Sequence, residues 1–166
     1  MLDITRLRTA SPEGTDTGPT HRQTIIRHVC IACGVRTNAV GAALYLREGA
    51  GRCRPFTSSG FCGEEIAELQ TVLGEGPAFE AARQNWPVLV PNLVDHRTSV
   101  RWPLFAGAAV AAGVEAIFAF PFSLGEDALG VLEVHRDHGD PLTPDEIVGA
   151  VQLADVALAL LLDAER

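Results

Sequence analysis

Glu133 and His135 stand two apart in the run Gly-Val-Leu-Glu-Val-His-Arg, and on an extended strand such a pair points to one side. A carboxylate and an imidazole set beside aromatic rings are the few polar groups that an otherwise apolar small-molecule pocket requires. The same two groups could serve a small enzyme as acid or base. The plainer alternative leaves His135 in solvent at a strand end and pairs Glu133 with an arginine. Upstream, Arg101-Trp-Pro-Leu-Phe105 offers Trp102 and Phe105 as a pocket roof, with His96 and Arg101 as donors at its rim. Arginine is the natural partner of a carboxylate or phosphate ligand. Ordinary core packing is the alternative for both rings. Glu75, between two glycines, reads as a cap on the helix that follows.

The cysteines point elsewhere. Cys30 and Cys33 make a Cys-x-x-Cys pair late in a predicted helix, where the helix dipole raises a thiol pKa, so redox activity is not expected there. With Cys53 and Cys62 the four could bind zinc, but the second pair lacks the short spacing of a zinc site. Buried small side chains are the simpler account, and no metal site is expected. His96 and His135 are the candidate ligands should haem be bound; the sequence itself names no cofactor.

Which elements must position these groups? Helical periodicity begins at Arg22 and ends near Gly34, and two strands follow, about Ala39–Leu46 and Arg52–Ser59, joined by a glycine-rich turn. Short helices are expected over Glu64–Leu73 and from Pro77 to about Gln84, with a strand at Pro87–Val90 and a polar loop over Asn92–Val100. An alanine-rich helix over Pro103–Ala112 leads into strands Glu115–Phe122 and Ala128–Arg136. If their turn pairs Ser123 with Ala128, then Phe118 and Phe120 share a face with Val131, Glu133 and His135, while Ile117, Ala119, Leu132 and Val134 form the other. A slip of one residue would reverse that assignment. Thr143, Pro144 and Glu146 form a near-ideal helix start, and the helix they open is so apolar that it needs two partners. One is the sheet; the other is the first helix or a second subunit.

Composition sets the outer bounds. The chain has 166 residues, 47% of them hydrophobic, enough for one domain with a real core. All 13 of its bases are arginine, against 21 acids, for a net charge of −8. That excess disfavours direct nucleic-acid binding, and no basic patch reverses it; Arg52 and Arg54 are the densest local pair. The longest uncharged stretch, Trp102–Val114, falls short of the roughly 20 residues of a membrane span. The N-terminal sequence lacks the apolar core of a signal peptide, so a cytoplasmic protein with free thiols is expected. Residues 1–20, rich in glycine, proline and threonine, read as a flexible arm ahead of a single domain over 21–166.

The order of these elements, with Leu73-Gly-Glu-Gly-Pro77, Pro87-Val-Leu-Val-Pro91, Arg101-Trp-Pro-Leu-Phe105 and the run AFPFSLGEDALGVLEVHR, resembles a GAF domain. The likeness covers about residues 22–163 and is similar to the GAF domains of actinobacterial signalling proteins, many of which carry an RNA-binding ANTAR module after it. This sequence stops where that module would begin, so antitermination by the chain alone is not expected. The resemblance implies an α+β fold: an antiparallel sheet of about six strands, with the first and last helices on one face and short helices and loops over the other. Ligand-binding members hold small molecules under that roof, and the terminal helices commonly dimerise. The ligand-binding set expected here is Phe79, His96, Arg101, Trp102, Phe105, Phe118, Phe120, Glu133 and His135. No catalytic residue is assigned. GAF-fold reductases of free methionine sulfoxide use thiols in loops that here, as GEGPAF and VDHRTSV, contain none. The bilin-attaching cysteine of light-sensing relatives and the Asn-Lys-Phe-Asp-Glu series of cyclic-nucleotide binders are also missing. The expected function is a stand-alone sensory module, binding an unidentified small molecule and signalling through a homodimer or a separate output protein. A regulatory interaction subunit without a ligand is the alternative.

Overall fold

The computed structural model describes residues 18–163. The arm expected over 1–20 thus lies, but for its last three residues, outside the described residues. The elements run α1 (His21–Arg36), β1 (Gly41–Glu48), β2 (Arg52–Gly60), α2 (Gly63–Leu73), α3 (Pro77–Gln84) and β3 (Val88–Val90). They continue as α4 (His96–Arg101), α5 (Phe105–Ala111), β4 (Ala116–Leu124), β5 (Asp127–Arg136) and α6 (Pro144–Asp163). The strands form one antiparallel sheet in the order β2-β1-β5-β4-β3. It has five strands where about six were expected, and the polar stretch read as a loop contains α4.

The helix starts follow their local chemistry. Thr20 and Gln23 make a reciprocal capping box on α1. Thr143 and Glu146 do the same for α6, at 2.9 and 3.2 Å. Glu75 acts differently from its expected role: its Oε1 accepts from the backbone N–H groups of Leu104 and Phe105, at 2.7 and 2.9 Å. It therefore caps the start of α5, not of α3, and ties the α2–α3 turn across to that helix.

Two cores flank the sheet. On one face α1 and α6 pack over Ala42, Leu44, Leu46, Phe118, Phe120, Phe122, Leu132 and Val134. The pair is antiparallel, since Arg22 Nη2 near the start of α1 reaches Leu161 O near the end of α6 at 3.2 Å. Buried Arg136 locks the other end, donating from Nε and Nη2 to Thr37 O after α1 and from Nη2 to Glu146 Oε2 at the head of α6 (2.7 Å). On the opposite face α2, α3, α4 and α5 roof the sheet over Ala43, Tyr45, Ile117, Ala119 and Val131.

One residue decides which side chains reach which core. Ser123 pairs with Ala128, as the turn length suggests, but Phe122 then pairs with Gly130, leaving Leu129 as the extra residue of a β-bulge. From there the register is shifted by one: Phe120 faces Leu132, Phe118 faces Val134, Ala119 faces Glu133 and Ile117 faces His135. Because alternate side chains point to opposite faces, a single inserted residue turns the whole strand over relative to its neighbour. Phe118 and Phe120 therefore lie under α1 and α6, and the shared face expected for them with Glu133 and His135 does not exist.

Candidate functional site

The roof face carries a closed polar cluster in an apolar surround. Glu133 and His135 are both 0% exposed, which removes the solvent-exposed alternative for the histidine. β5 brings them to the same side, and Tyr45 on neighbouring β1 and Gln70 on α2 complete the group. Glu133 Oε1 accepts from the Tyr45 hydroxyl at 3.0 Å, from Gln70 Nε2 at 2.8 Å and from His135 Nε2 at 2.7 Å; Oε2 stands 3.1 Å from Gln70 Nε2. A carboxylate can leave water only when its lone pairs are filled in this way.

Gln70 also faces the roof. Its Oε1 accepts the Ala78 N–H, the first free donor behind Pro77, at 2.9 Å. That contact explains Gly76, whose φ is +144° and whose missing Cβ would lie 2.4 Å from Gln70 Oε1. Any side chain there would both strain the backbone and strike the amide. Gln70 thus links the start of α3 to the carboxylate on β5.

The fourth neighbour is Cys62, at the position before α2. A Cβ on Gly41 would meet both Cys62 Sγ, at 2.9 Å, and His135 Nδ1, at 3.3 Å. The absence of that side chain is what lets thiol and imidazole stand together. Nδ1 is buried and forms no hydrogen bond, and the Cys62 thiol stands beside it. Burial alone would push His135 down. The thiol of Cys62 and the hydrogen bond and charge of Glu133 outweigh it and hold the imidazole up at about 9. Tyr45 is pushed well above its ordinary value by burial and by the Glu133 charge.

This sets a pH dependence. His135 titrates near 6.5 when unfolded and near 9 when folded, so its stabilisation is complete below about 6.5 and is lost as pH rises toward 9. Denaturant melts of the wild type are expected to lose stability from pH 6.5 to 8, and His135→Gln to flatten that slope. An equal slope in the variant would assign the loss to other groups.

The remaining expected residues do not converge on this cluster. Arg101 pairs with Glu80 on α3 at 2.7 Å and lies over the Trp102 ring, 4.5 Å from its centroid. It holds α4 to α3. Trp102 and Phe105 pack edge to face with centroids 6.5 Å apart, inside the roof core. His96 is exposed at the first position of α4. Phe79 is different. It faces a cleft of about 580 Å³ between the β1–β2 hairpin and the α2–α3 turn, lined also by Glu48, Arg52, Cys53, Arg54 and Thr71. Arg54 pairs with Glu48 at 2.8 Å. Arg52 is exposed at the cleft mouth.

Sequence reasoning missed Tyr45, Gln70 and this cleft. Tyr45 is the sole tyrosine, and it comes beside Glu133 through the pairing of β1 with β5, a long-range register that local signals do not give. The four cysteines are split by the sheet, Cys30 and Cys33 on the α1–α6 side and Cys53 and Cys62 on the roof side. They cannot share one zinc ion. Burial pushes the Cys30, Cys33 and Cys53 thiols up to about 12. Among the described residues no three His, Cys, Asp or Glu side chains gather as a metal site, and no helix is long and apolar enough to cross a membrane.

The architecture is thus a five-stranded antiparallel sheet between a terminal helix pair and a roof of short helices. The family model for the GAF domain matches residues 19–161, and the chain belongs to that family, whose members are general sensory and regulatory modules. No curated protein sequence matches it. Among solved structures it is similar to the GAF domain of an Acinetobacter phosphoenolpyruvate-protein phosphotransferase, at 14% identity and a TM-score of 0.67 over 89% of this chain and 86% of that one. It is similar to the GAF-B domain of DevS from Mycobacterium smegmatis, at 17% identity and a TM-score of 0.61, covering 87% and 95%. A type II free methionine-R-sulfoxide reductase from Thermoplasma acidophilum shares the fold too, at 13% identity and a TM-score of 0.63, covering 86% and 93%.

Proposed function

We propose that this GAF domain is a cytoplasmic sensory module that takes a small anionic molecule in the cleft beside Phe79 and passes the signal through a homodimer to a separate output protein. The observation that carries this reading is the cleft itself: a half-enclosed space of about 580 Å³ with Phe79 in its wall and Arg52 at its mouth. A cleft of this size, with a mainly polar lining, suits a metabolite-sized polar ligand. An arginine at the rim suits a carboxylate or phosphate. The centre of the roof is filled by Trp102, Phe105 and Ile66, so the ligand site moves from the middle of the sheet to the edge of the roof.

The cleft is wired to the rest of the fold. Thr71, Leu73 and Gly74 line it, and Gln70 next to them grips both Ala78 and Glu133. A ligand that displaces the α2–α3 turn therefore acts on β5, and β5 carries α1 and α6 on its other face. Ligand shifts the population only by its preference for one of these arrangements. The four free thiols suit a reducing compartment.

The test is a thermal-shift screen of small carboxylates and phosphates on the full chain, repeated with Phe79→Trp, which fills the cleft, and Arg52→Glu, which reverses its rim charge. At a ligand concentration 100 times Kd the wild type gains about 2.7 kcal/mol; both variants are expected to lose most of that gain. A ligand whose shift survives both substitutions binds elsewhere and overturns the assignment.

For the homodimer, the support is an apolar outer surface on the terminal helices: Ile25, Ile31 and Val35 on α1, and Val148, Val151 and Val156 on α6, are all exposed. The double substitution Val151→Glu and Val156→Glu adds two charges beside Asp155 and is expected to convert dimer to monomer in light scattering. A wild-type monomer would leave the outer helices to a heterologous partner and contradict the homodimer.

A further inference from the structure

The Cys62, His135 and Glu133 side chains form a line that the ligand cleft does not use. Cys62 immediately precedes the 11-residue α2, which places its side chain beside the start of that helix. His135 Nδ1 is fully buried, has no hydrogen-bond partner and faces that sulfur across Gly41. Its other nitrogen, Nε2, is fixed by Glu133 Oε1 at 2.7 Å. Glu133 is itself fixed by Tyr45 and Gln70. A nucleophile, an imidazole turned toward it and a carboxylate that orients the imidazole are the parts of an activated thiol.

Cys30 and Cys33 share no such set. They lie in the α1–α6 core, on the other side of the sheet. Cys53 shares the roof core with Cys62, but the charged groups that act on it are Arg47, Glu133 and Glu48. Cys62 is 1% exposed, so the reagent must be small and uncharged. Phe61 before it is 90% exposed, which leaves the thiol one residue from open solvent.

We propose that Cys62 is a peroxide-reactive thiol served by His135, with Glu133 as the positioning residue, and that its oxidation is a second input to the domain. The sulfur lone pair forms an S–O bond to one peroxide oxygen as the O–O bond breaks. The Cys62 thiol proton, relayed by His135 Nδ1, goes to the departing oxygen. Thiol and hydrogen peroxide thus give sulfenic acid and water, the sulfur being oxidised and the peroxide reduced. The added oxygen has to fit between Gly41, Gly63 and the imidazole, where a Cβ on Gly41 already finds the Gly63 N at 2.9 Å. Oxidation therefore presses on the start of α2 and on His135 together. This site stands independently of what the Phe79 cleft binds.

The test is peptide mapping by mass spectrometry of the full chain exposed to dilute hydrogen peroxide. Cys62 is expected to gain oxygen at least about tenfold faster than Cys53, although Cys53 is the more exposed of the two, at 5% against 1%. His135→Gln is expected to abolish that preference, with circular dichroism confirming that the variant is folded. The comparison of the two cysteines within the wild type needs no variant. Equal rates at Cys62 and Cys53, or a preference unchanged in folded His135→Gln, would overturn the proposal.

Discussion

Replacing Glu133 by alanine is expected to lower the free energy of unfolding by about 3–5 kcal/mol, the usual cost of removing one partner from a buried charged pair. Three donors converge on this carboxylate, from Tyr45, Gln70 and His135. The substitution strips all of them at once and removes the charge and hydrogen bond that help hold the buried imidazole up. Set against the 5–15 kcal/mol that domains of this size possess, the loss is large. Tyr45→Phe supplies the graded companion. It removes one donor and leaves Gln70 and His135 in place, so a loss of about 1 kcal/mol is expected. Denaturant titration at pH 6.5 measures both. A Glu133→Ala loss no greater than that of Tyr45→Phe would mean that the carboxylate is not the hub of the cluster.

Phe118→Ala is the second large effect, at about 3–5 kcal/mol for truncating a fully buried ring that packs among Phe120, Leu132, Val134 and the two terminal helices. Its direction matters as much as its size. Phe118 lies across the sheet from the Phe79 cleft, and its ring carries the Arg136 guanidinium 5.6 Å from the centroid. The variant should therefore weaken the α1–α6 layer while leaving ligand affinity in folded protein near its wild-type value. A loss of affinity larger than the loss of stability would put Phe118 on the ligand side after all.

These two residues mark what was legible in the sequence. Element order, the cap of α6, the turn after Phe122 and the α+β class follow from local signals: a Thr-x-x-Glu box, a proline at a first helical turn, alternation along strands. Those signals are encoded within a few residues. The face that each strand residue occupies is not, because it depends on whether Leu129 pairs or bulges. One unpaired residue moved Phe118 and Phe120 from the expected site to the opposite core. Glu133 and His135 kept their mutual relation, two apart on one strand, since no bulge falls between them.

The missed members of the site were missed for the same reason. Gln70 sits in an ordinary helical segment, and its role arises only where its amide reaches Glu133 on β5 and where Gly76 leaves room for it. Arg52 and Arg54 stood out as a local pair, yet nothing in their spacing shows that the α2–α3 turn closes over them. Arg101 looked like a free donor in sequence; its partner Glu80 is 21 residues away on another helix. Long-range pairing, not residue type, separates a ligand donor from a structural one.

The central claim, a ligand taken at the edge of the roof by a paired module, is met most directly by native mass spectrometry of the chain purified from the organism that encodes it. The expected spectrum is a dimer carrying one small anionic adduct per chain, with the adduct missing when Arg52→Glu and Phe79→Trp protein is purified in the same way. A bare monomer, or an adduct that persists in both variants, would contradict it.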